Sequence, residues 1–225
     1  MKNKLDHIAF IMDGNNRWSV KNQKSKLFSY NKGAENLIKL TNFIFSSSTV
    51  TYVSAFALST HNLNRSVTLI NLIKEILHKF LNNELNKNNL KFSILFKGDL
   101  SFLNRDIQNK INLVEKKNIS SKKKLIIFIN YSGRSDILNT INKIIFLKLN
   151  KINYKNINSY LSTTNIPDPD ILIRTGGFQR ISDFFLYQIS FTELFFTKKL
   201  WPDLTKEDIK KIFNKYSLIQ RKFGI

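Results

Sequence analysis

The sequence predicts an α/β fold: one domain with a mostly parallel six-stranded sheet and helices on both faces of the sheet. Strongly apolar runs alternate along the chain with longer amphipathic segments, as strands alternate with helices in βαβ units. The apolar runs lack polar alternation, which is typical of strands buried on both faces. The 225 residues suit one domain, and no repeat, linker or change in composition divides them. We therefore predict a single domain over residues 1–225.

Six strands are predicted where short apolar runs end in turn residues. The first is His7–Met12, which ends in the turn cluster Asp13–Asn16. The sixth is predicted from Phe184–Ile189 and Leu194–Phe196, with an irregular segment between them. The other four are Val50–Leu58, Lys91–Lys97, Leu125–Asn130 and Asp170–Arg174.

Helices are predicted where apolar residues recur every three or four positions. The clearest is Ser66–Leu85, where Leu69, Ile73 and Ile76 share one face. The last is Thr205–Tyr216, and Thr205 suits the N-cap because its hydroxyl can accept from a free backbone N–H. The other predicted helices are Ala34–Phe45, Phe102–Val114, Arg134–Leu149 and a short one at Ile157–Leu161.

The composition excludes several classes of protein. There is no cysteine, so disulfides, thiolate nucleophiles and cysteine-ligated metals are excluded, and three histidines argue against a histidine-rich metal site. No apolar run approaches the roughly 18 residues of a membrane span. The apolar stretch near the N-terminus is too short for an export signal, so we expect a cytoplasmic protein.

The net charge of +20 first suggests a nucleic-acid-binding protein. The lysines, however, are scattered over the chain, and the densest run is only Lys122–Lys124. A solvated lysine surface that attracts anionic partners is therefore the favoured interpretation. Nucleic-acid binding stays the less favoured alternative, and we expect no nucleic-acid partner.

The rare arginines and glycines lie close together. There are seven of each, and five of the glycines are within four residues of an arginine. Glycine lets a backbone approach a ligand closely, and the arginine fork fits phosphate, although chance clustering in loops is an equally open interpretation at this point. Ligands of α/β folds bind where parallel strands end, and four of the five loops there carry an arginine, which favours a phosphate site. The five loops are Asp13–Trp18, Ser59–Arg65, Gly98–Asp99, Tyr131–Arg134 and Arg174–Ser182.

Asp13 is the first residue after the first predicted strand. Its carboxylate can hold Mg²⁺, which prefers oxygen ligands and often bridges to phosphates, and the amides from Gly14 onward can contact the same anion as Arg17. Taken alone, this segment is better interpreted as a simple turn. The sequence has no Walker A, GxGxxG or GxSxG motif, which argues against common nucleotide sites and serine nucleophiles. The predicted site has a metal, arginines and backbone amides but no nucleophile. This combination indicates a reaction in which a phosphate or diphosphate is first bound and then departs as the leaving group.

These residues also carry a family resemblance. The segment His7-Ile-Ala-Phe-Ile-Met-Asp-Gly-Asn-Asn-Arg-Trp18 is similar to the opening signature of the cis-prenyltransferases, the undecaprenyl diphosphate synthase family. Each block is weak alone, but together they keep the family order over nearly the whole chain. The further similar blocks are Ala57–Arg65, Gly98–Asp99, Asn130–Arg134, Pro169–Gly177, Arg180–Ser182, Thr192–Thr197, Trp201–Asp203 and Arg221–Gly224.

The resemblance implies a reaction. An allylic diphosphate, such as farnesyl diphosphate, loses its diphosphate, and the double bond of isopentenyl diphosphate attacks the allylic carbon. Loss of a proton then leaves a new cis double bond. The implied product is a long-chain polyprenyl diphosphate, undecaprenyl diphosphate for a cell-wall lipid carrier. The default role of the apolar face of Ser66–Leu85 is packing on the core; by the resemblance, this helix would also line the tunnel for the growing chain.

The resemblance also implies roles for individual residues. Asp13 would be the catalytic carboxylate and would hold Mg²⁺ together with Glu193. Asn62 matches a position proposed as proton acceptor, although a neutral amide is hardly basic, so positioning is the better interpretation. The implied substrate-binding residues are Gly14, Asn15, Asn16, Arg17 and Trp18 for the allylic diphosphate, Arg174, Arg180, Ile181 and Ser182 for isopentenyl diphosphate, and Ser59, Thr60 and Arg65 for positioning.

By the same resemblance we expect a homodimer, with Arg221–Gly224 near the dimer interface, and peripheral contact with a membrane. The sequence departs from the family pattern where it has Lys26, Tyr30, Leu63, Ser66 and Ser132, and also at His61 and Asp183. These departures leave open a catalytically weak or inactive subunit of a prenyltransferase complex as an alternative to an active enzyme.

Overall fold

The computed structural model describes residues 4–63, 67–87, 90–149, 151–153 and 156–220. Six strands form one sheet in the order β3-β4-β2-β1-β5-β6, and all five pairings are parallel. The predicted fold class is confirmed. The strands are β1 His7–Ile11, β2 Tyr52–Ser59, β3 Ser93–Lys97, β4 Lys124–Tyr131, β5 Ile171–Arg174 and β6 Glu193–Phe196.

Seven helices are present in the described residues. They are α1 Asn15–Lys21, α2 Lys26–Ser47, α3 Thr60–Leu63, α4 Val67–Leu85, α5 Arg105–Lys116, α6 Gly133–Phe146 and α7 Lys206–Ser217. Two short 3₁₀ helices lie at Ile157–Ser159 and Trp201–Asp203. The predicted N-cap Thr205 is confirmed, since its hydroxyl accepts from the N–H of Asp208 in a capping box. Ser66, the first residue of the predicted helix that corresponds to α4, lies outside the described residues.

Two predicted loops are wrong because helices begin inside them. α1 starts directly after Gly14, which adopts the left-handed conformation with φ 111°. α3 occupies most of the predicted loop after β2, and Ser59 belongs to the strand itself. α2 also begins well before the predicted Ala34, because Ser25 caps it by accepting from the N–H of Phe28.

The predicted strand over Phe184–Ile189 is also wrong. The backbone of Phe185 has φ 54°, which no strand adopts. Instead, the rings of Phe184 and Phe185 stack with centroids 4.0 Å apart and are buried against the second face of the sheet. A buried loop has the same apolar run as a strand, which explains the incorrect prediction.

Helices α2, α4, α5 and α7 cover the first face of the sheet with one large hydrophobic core. The second face has a smaller core that contains Phe56, Phe128 and Leu172 besides the two stacked phenylalanines. No helix in the described part of the chain is long and apolar enough to cross a membrane.

His7 begins β1 and is completely buried. Its Nδ1–H donates to the carbonyl of Pro167 at 2.6 Å, so Nε2 accepts from the Ser54 hydroxyl at 2.8 Å. Burial lowers the pKa of His7 from 6.5 to about 4, against smaller opposite effects of Pro167 and of the carboxylates Asp170 and Asp6. Between pH 6.5 and about 4, the folded protein therefore keeps this imidazole neutral, whereas an unfolded chain protonates it.

We expect His7 to make folding stability pH-dependent. Between pH 6.5 and 4 the unfolded chain binds a proton that the folded chain rejects, so stability falls as the pH falls, by about 3 kcal/mol in total. Urea unfolding of the wild type at pH 7 and pH 4.5 measures the loss. His7→Gln should show a smaller loss, whereas His78→Gln, at an exposed position on α4, should keep it. An equal loss in His7→Gln and the wild type would contradict the assignment.

Candidate active site

The site lies where the neighbouring strands β1 and β5 end. Ile11, the last residue of β1, pairs in register with Arg174, the last residue of β5. Asp13 follows β1 by two residues, and α1 then carries Arg17 one helical turn further on. The parallel register therefore brings Asp13, Arg17 and Arg174 together at one edge of the sheet, as the sequence predicted for loops after strands.

Asp13 is held by two arginines. Its Oδ1 accepts from Nη2 of Arg17 at 3.1 Å, and its Oδ2 accepts from Nη2 of Arg174 at 2.8 Å. The side chain of Arg174 is only 4% exposed, against 45% for Arg17 and 27% for Asp13. One carboxylate thus balances two guanidinium groups, so the site keeps a net positive charge that favours an anion.

Arg174 also shapes the turn that holds the other predicted residues. Its Nη1 donates to the carbonyl of Arg180 and to Oγ of Ser182, the latter at 2.6 Å. Ser182 has φ 50°, and Ile181 packs against the second core. A single buried guanidinium therefore links Asp13 to the segment 180–182.

Gly176 makes the close approach of Arg17 possible. Its φ is 85°, and a Cβ at this position would collide with the guanidinium of Arg17. Its carbonyl accepts from Nη1 of Arg17 at 2.7 Å, while the hydroxyl of Thr175 donates to the carbonyl of Asp13 at 2.7 Å. Only glycine satisfies both the backbone conformation and the space.

The other residues predicted for the allylic end lie at the start of α1. Gly14 precedes the helix, and Asn16 is exposed on its first turn. The side-chain Oδ1 of Asn15 is buried without a hydrogen bond in the described residues. Trp18 is buried, and its Nε1–H donates to Asp203 at 2.7 Å, so its described contacts anchor α1 to the fold.

Asn62 lies on α3, which follows β2 at the same edge of the sheet. Its backbone N–H donates to Oγ of Ser59 at 3.2 Å, and Thr60 begins the helix. The hydroxyl of Ser59 thus holds the first turn of α3 in place. Arg65, predicted in the same segment, lies outside the described residues.

The structure does not bring Glu193 to Asp13 within one chain. Glu193 begins β6 and pairs with Ile171, whereas the site edge is marked by Arg174 paired with Phe196. Three residues of strand separate the two positions, about 10 Å along the sheet. Within the described ranges, no three histidine, aspartate or glutamate side chains gather into a metal-binding group.

Two departures from the family pattern, His61 and Asp183, contact each other, and a third, Ser132, contacts the same carboxylate. Nε2 of His61 lies 3.4 Å from Oδ2 of Asp183, whose side chain is 11% exposed. The carboxylate of Asp183 also accepts from the Ser132 hydroxyl and, at 3.1 Å, from the N–H of Arg134. The pair therefore joins α3, which carries Asn62, to the segment that Arg174 shapes.

An apolar cavity of about 100 Å³ lies beside the site, between α2, α4 and the sheet. Asn15 and Tyr30 form part of its wall, and burial together with the charge of Asp13 raises the pKa of Tyr30. A second cavity, of about 410 Å³, shares Ala34 and Phe80 with the first. Seven of its ten lining residues are polar or charged, Glu84 among them, yet more of its wall surface is apolar than polar.

Sequence reasoning missed Phe178 as a residue of the site. Its ring lies beside Arg17, Arg174 and Arg180, although no motif includes it. The one feature of the sequence that could have indicated Phe178 is its position directly after two glycines and between two arginines. Together, the parallel sheet, the arginine-rich edge and the apolar cavity define an α/β enzyme that handles an apolar molecule with an anionic group.

Comparison with known proteins identifies the family. The Prenyltransf family model, which describes undecaprenyl diphosphate synthases, matches residues 11–224. The chain is 33% identical over 226 residues to an isoprenyl transferase of Wolinella succinogenes, covering 99% of this chain and 97% of the relative. It is 35% identical over 233 residues to a ditrans,polycis-undecaprenyl-diphosphate synthase of Buchnera aphidicola subsp. Baizongia pistaciae named as specific for (2E,6E)-farnesyl diphosphate, covering 99% of this chain and 92% of the relative.

A solved structure agrees with this result. Lavandulyl diphosphate synthase from Lavandula x intermedia, in complex with dimethylallyl diphosphate, superposes with a TM-score of 0.90 at 29% identity, covering 98% of each chain. The chain therefore belongs to the undecaprenyl diphosphate synthase family of prenyltransferases, as the sequence predicted, and it is an isoprenyl transferase.

Proposed function

We propose that the protein condenses isopentenyl diphosphate with an allylic diphosphate such as farnesyl diphosphate, and repeats the step to make a long-chain polyprenyl diphosphate. The product we propose is undecaprenyl diphosphate, the precursor of a cell-wall lipid carrier. The observation that carries this proposal is the joint placement of Asp13, Arg17 and Arg174 beside an apolar cavity. An anionic head and a hydrocarbon tail are what such a pair of surfaces can bind.

In the proposed reaction the allylic C–O bond breaks and its electron pair leaves with the diphosphate oxygen. The double bond of isopentenyl diphosphate supplies the electrons of the new C–C bond, and a proton then leaves the adjacent carbon. Arg17, held in place by Asp13, stabilises the charge that develops on the departing group without having to reorganise, while Arg174, anchored by the same carboxylate, holds the diphosphate of isopentenyl diphosphate. Asn62 contributes positioning, and the released diphosphate takes the proton.

We propose that Mg²⁺ takes part, held by Asp13 and by the substrate diphosphate. The donor set fits this arrangement, because Mg²⁺ is commonly bound through one or two carboxylates plus phosphate oxygens. A carboxylate has about four acceptor positions, and the arginines occupy two of those of Asp13. Bound there, the metal would neutralise charge on the leaving diphosphate. We propose that Glu193 of the same chain, three residues back along β6 from the site edge, does not share this ion.

We also propose a homodimer that works in the cytoplasm, with the membrane as a peripheral partner and no nucleic acid. Leu138, Ile141 and Ile145 lie on one face of α6 and are exposed, which supports a second copy of the chain as their cover. The charge of +20 favours an anionic leaflet, where each lysine contributes on the order of 1 kcal/mol. The Arg221–Gly224 motif, predicted near the dimer interface, lies outside the described residues.

The decisive experiment is turnover by the purified protein. Radiolabelled isopentenyl diphosphate is incubated with farnesyl diphosphate and Mg²⁺, and the product lengths are separated by chromatography. Labelled long-chain product that is lost in excess EDTA supports the proposal. No incorporation by the protein alone would support the inactive-subunit alternative instead. Strong, salt-sensitive binding of DNA or RNA in a filter assay would favour the nucleic-acid alternative.

Phe80 is expected to limit product length. Its ring belongs to the walls of both cavities, so Phe80→Ala should open the apolar cavity of about 100 Å³ into the second one of about 410 Å³. We expect products longer by at least one isoprene unit in the same assay. Val67→Ala, on an exposed part of the same helix, should leave the lengths unchanged. Identical product ladders for Phe80→Ala and the wild type would show that the chain grows elsewhere.

A further inference from the structure

Three guanidinium groups surround the ring of Phe178. The Cζ atoms of Arg180, Arg17 and Arg174 lie 4.1, 5.0 and 5.6 Å from the ring centroid. We propose that Phe178 is a positioning residue that gathers these three arginines where the two substrate diphosphates meet. The inference rests on the proposed function, because it assigns a residue to the anion site of that reaction.

Packing does not explain why a phenyl ring is there. Phe178 is 41% exposed and takes part in neither of the two hydrophobic cores of the described chain. The preceding glycines, Gly176 and Gly177, both have positive φ, 85° and 82°, and this turn carries the chain past the arginines. Within the described residues, the ring makes its cation–π contacts with these three arginines.

The three arginines need something to hold them together. Their like charges repel, and Asp13 is hydrogen-bonded to only two of them, Arg17 and Arg174. The third, Arg180, is exposed, and its guanidinium is the closest of the three to the ring of Phe178. The negative face of an aromatic ring attracts a cation, so the ring offsets part of the repulsion.

A phenyl ring does this without competing with the substrate. A carboxylate at this position would accept the guanidinium N–H groups and cancel one positive charge. A ring attracts the cation through its π face, which accepts none of the five N–H donors in a conventional hydrogen bond. The donors of Arg180 remain available to diphosphate oxygens, and the full charge of the cluster is kept.

The test compares Phe178→Leu and Phe178→Trp with the wild type. We expect Phe178→Leu to weaken binding of inorganic pyrophosphate about tenfold, since cation–π attraction is lost at several guanidinium groups. The KM for isopentenyl diphosphate should rise by a similar factor with a smaller change in kcat. Phe178→Trp, which keeps an aromatic face, should leave both the pyrophosphate affinity and the KM close to those of the wild type. Calorimetry measures pyrophosphate binding, and steady-state kinetics measures the KM.

Phe43→Leu is the matched control. Two lysines of α7, Lys206 and Lys210, each lie 5.7 Å from the centroid of the ring of Phe43, which is near the C-terminal end of α2. Removing this ring should change neither pyrophosphate binding nor the KM. Melting temperatures of all variants show whether Phe178→Leu acts only through the fold. A purely structural role would lower the melting temperature, and Phe178→Trp would then show no specific advantage over Phe178→Leu in pyrophosphate binding.

The possible failures are distinguishable. If the wild type turns over and binds pyrophosphate, and Phe178→Leu binds it equally well, Phe178 does not position the arginines but the proposed function stands. The same conclusion follows if leucine and tryptophan at this position behave alike. If the wild type neither turns over nor binds pyrophosphate, the anion site itself is wrong, and the inference fails with the proposed function.

Discussion

Asp13→Ala is expected to lower kcat by a factor of about 10²–10³ or more, the loss seen when one preorganised polar group is removed from a catalytic site. The carboxylate accepts from Arg17 at 3.1 Å and from Arg174 at 2.8 Å. Without it, two guanidinium groups repel each other and lose their common anchor, and the proposed metal loses its protein ligand. The fold should survive, because Asp13 lies in the connection between β1 and α1 and contributes no apolar surface to either core.

The measurement is kcat at saturating concentrations of both substrates, with thermal unfolding followed by circular dichroism. Asp106→Ala is the matched control. It removes an exposed carboxylate that pairs with Lys110 at 3.0 Å on α5, a helix that packs against the edge strand β3, and it should leave kcat unchanged. A kcat of Asp13→Ala within a few-fold of the wild type would remove Asp13 from the mechanism.

The sequence predicted the sheet well because its strands are buried on both faces. The run of β4 is buried along nearly its whole length and has no polar alternation, which is typical of a parallel strand covered on both faces. The helix starts were harder to predict. Asp13–Asn16 has the composition of a turn, yet α1 begins at Asn15 because Gly14 supplies a left-handed residue and Trp18 anchors the helix to Asp203. Contacts this distant in sequence are invisible to local patterns.

The site was predictable to the extent that parallel strands end together. From the sequence alone, this rule predicts that Asp13 and Arg174 lie at the same edge of the sheet. It could not place Glu193, whose motif says nothing about the register of β6, and the structure puts that carboxylate beside the start of β5. Nor could it pair His61 with Asp183, because their contact depends on how α3 lies over the turn after β5.

Arg174→Lys is expected to separate the two ends of the site. Lysine keeps the charge but cannot reach Asp13, Ser182 and the carbonyl of Arg180 together as the planar fork does. The expected loss is about 1.5–3 kcal/mol, the range for a hydrogen bond to a charged group. It should appear as a raised KM for isopentenyl diphosphate, because the segment 180–182 loses its anchor, with a smaller change in the KM for the allylic substrate.

Arg17→Lys should show the opposite pattern, since Arg17 lies on α1 beside the residues expected to bind the allylic diphosphate. Steady-state titrations that vary each substrate while the other is saturating measure both KM values for each variant. Arg105→Lys, at an exposed position on α5, controls for the general effect of exchanging arginine for lysine. Asp13 and the ring of Phe178 contact both arginines, so some coupling between the two ends is expected. If both variants weakened both substrates equally, one shared diphosphate pocket would replace the two subsites, because neither arginine would then belong to a particular substrate.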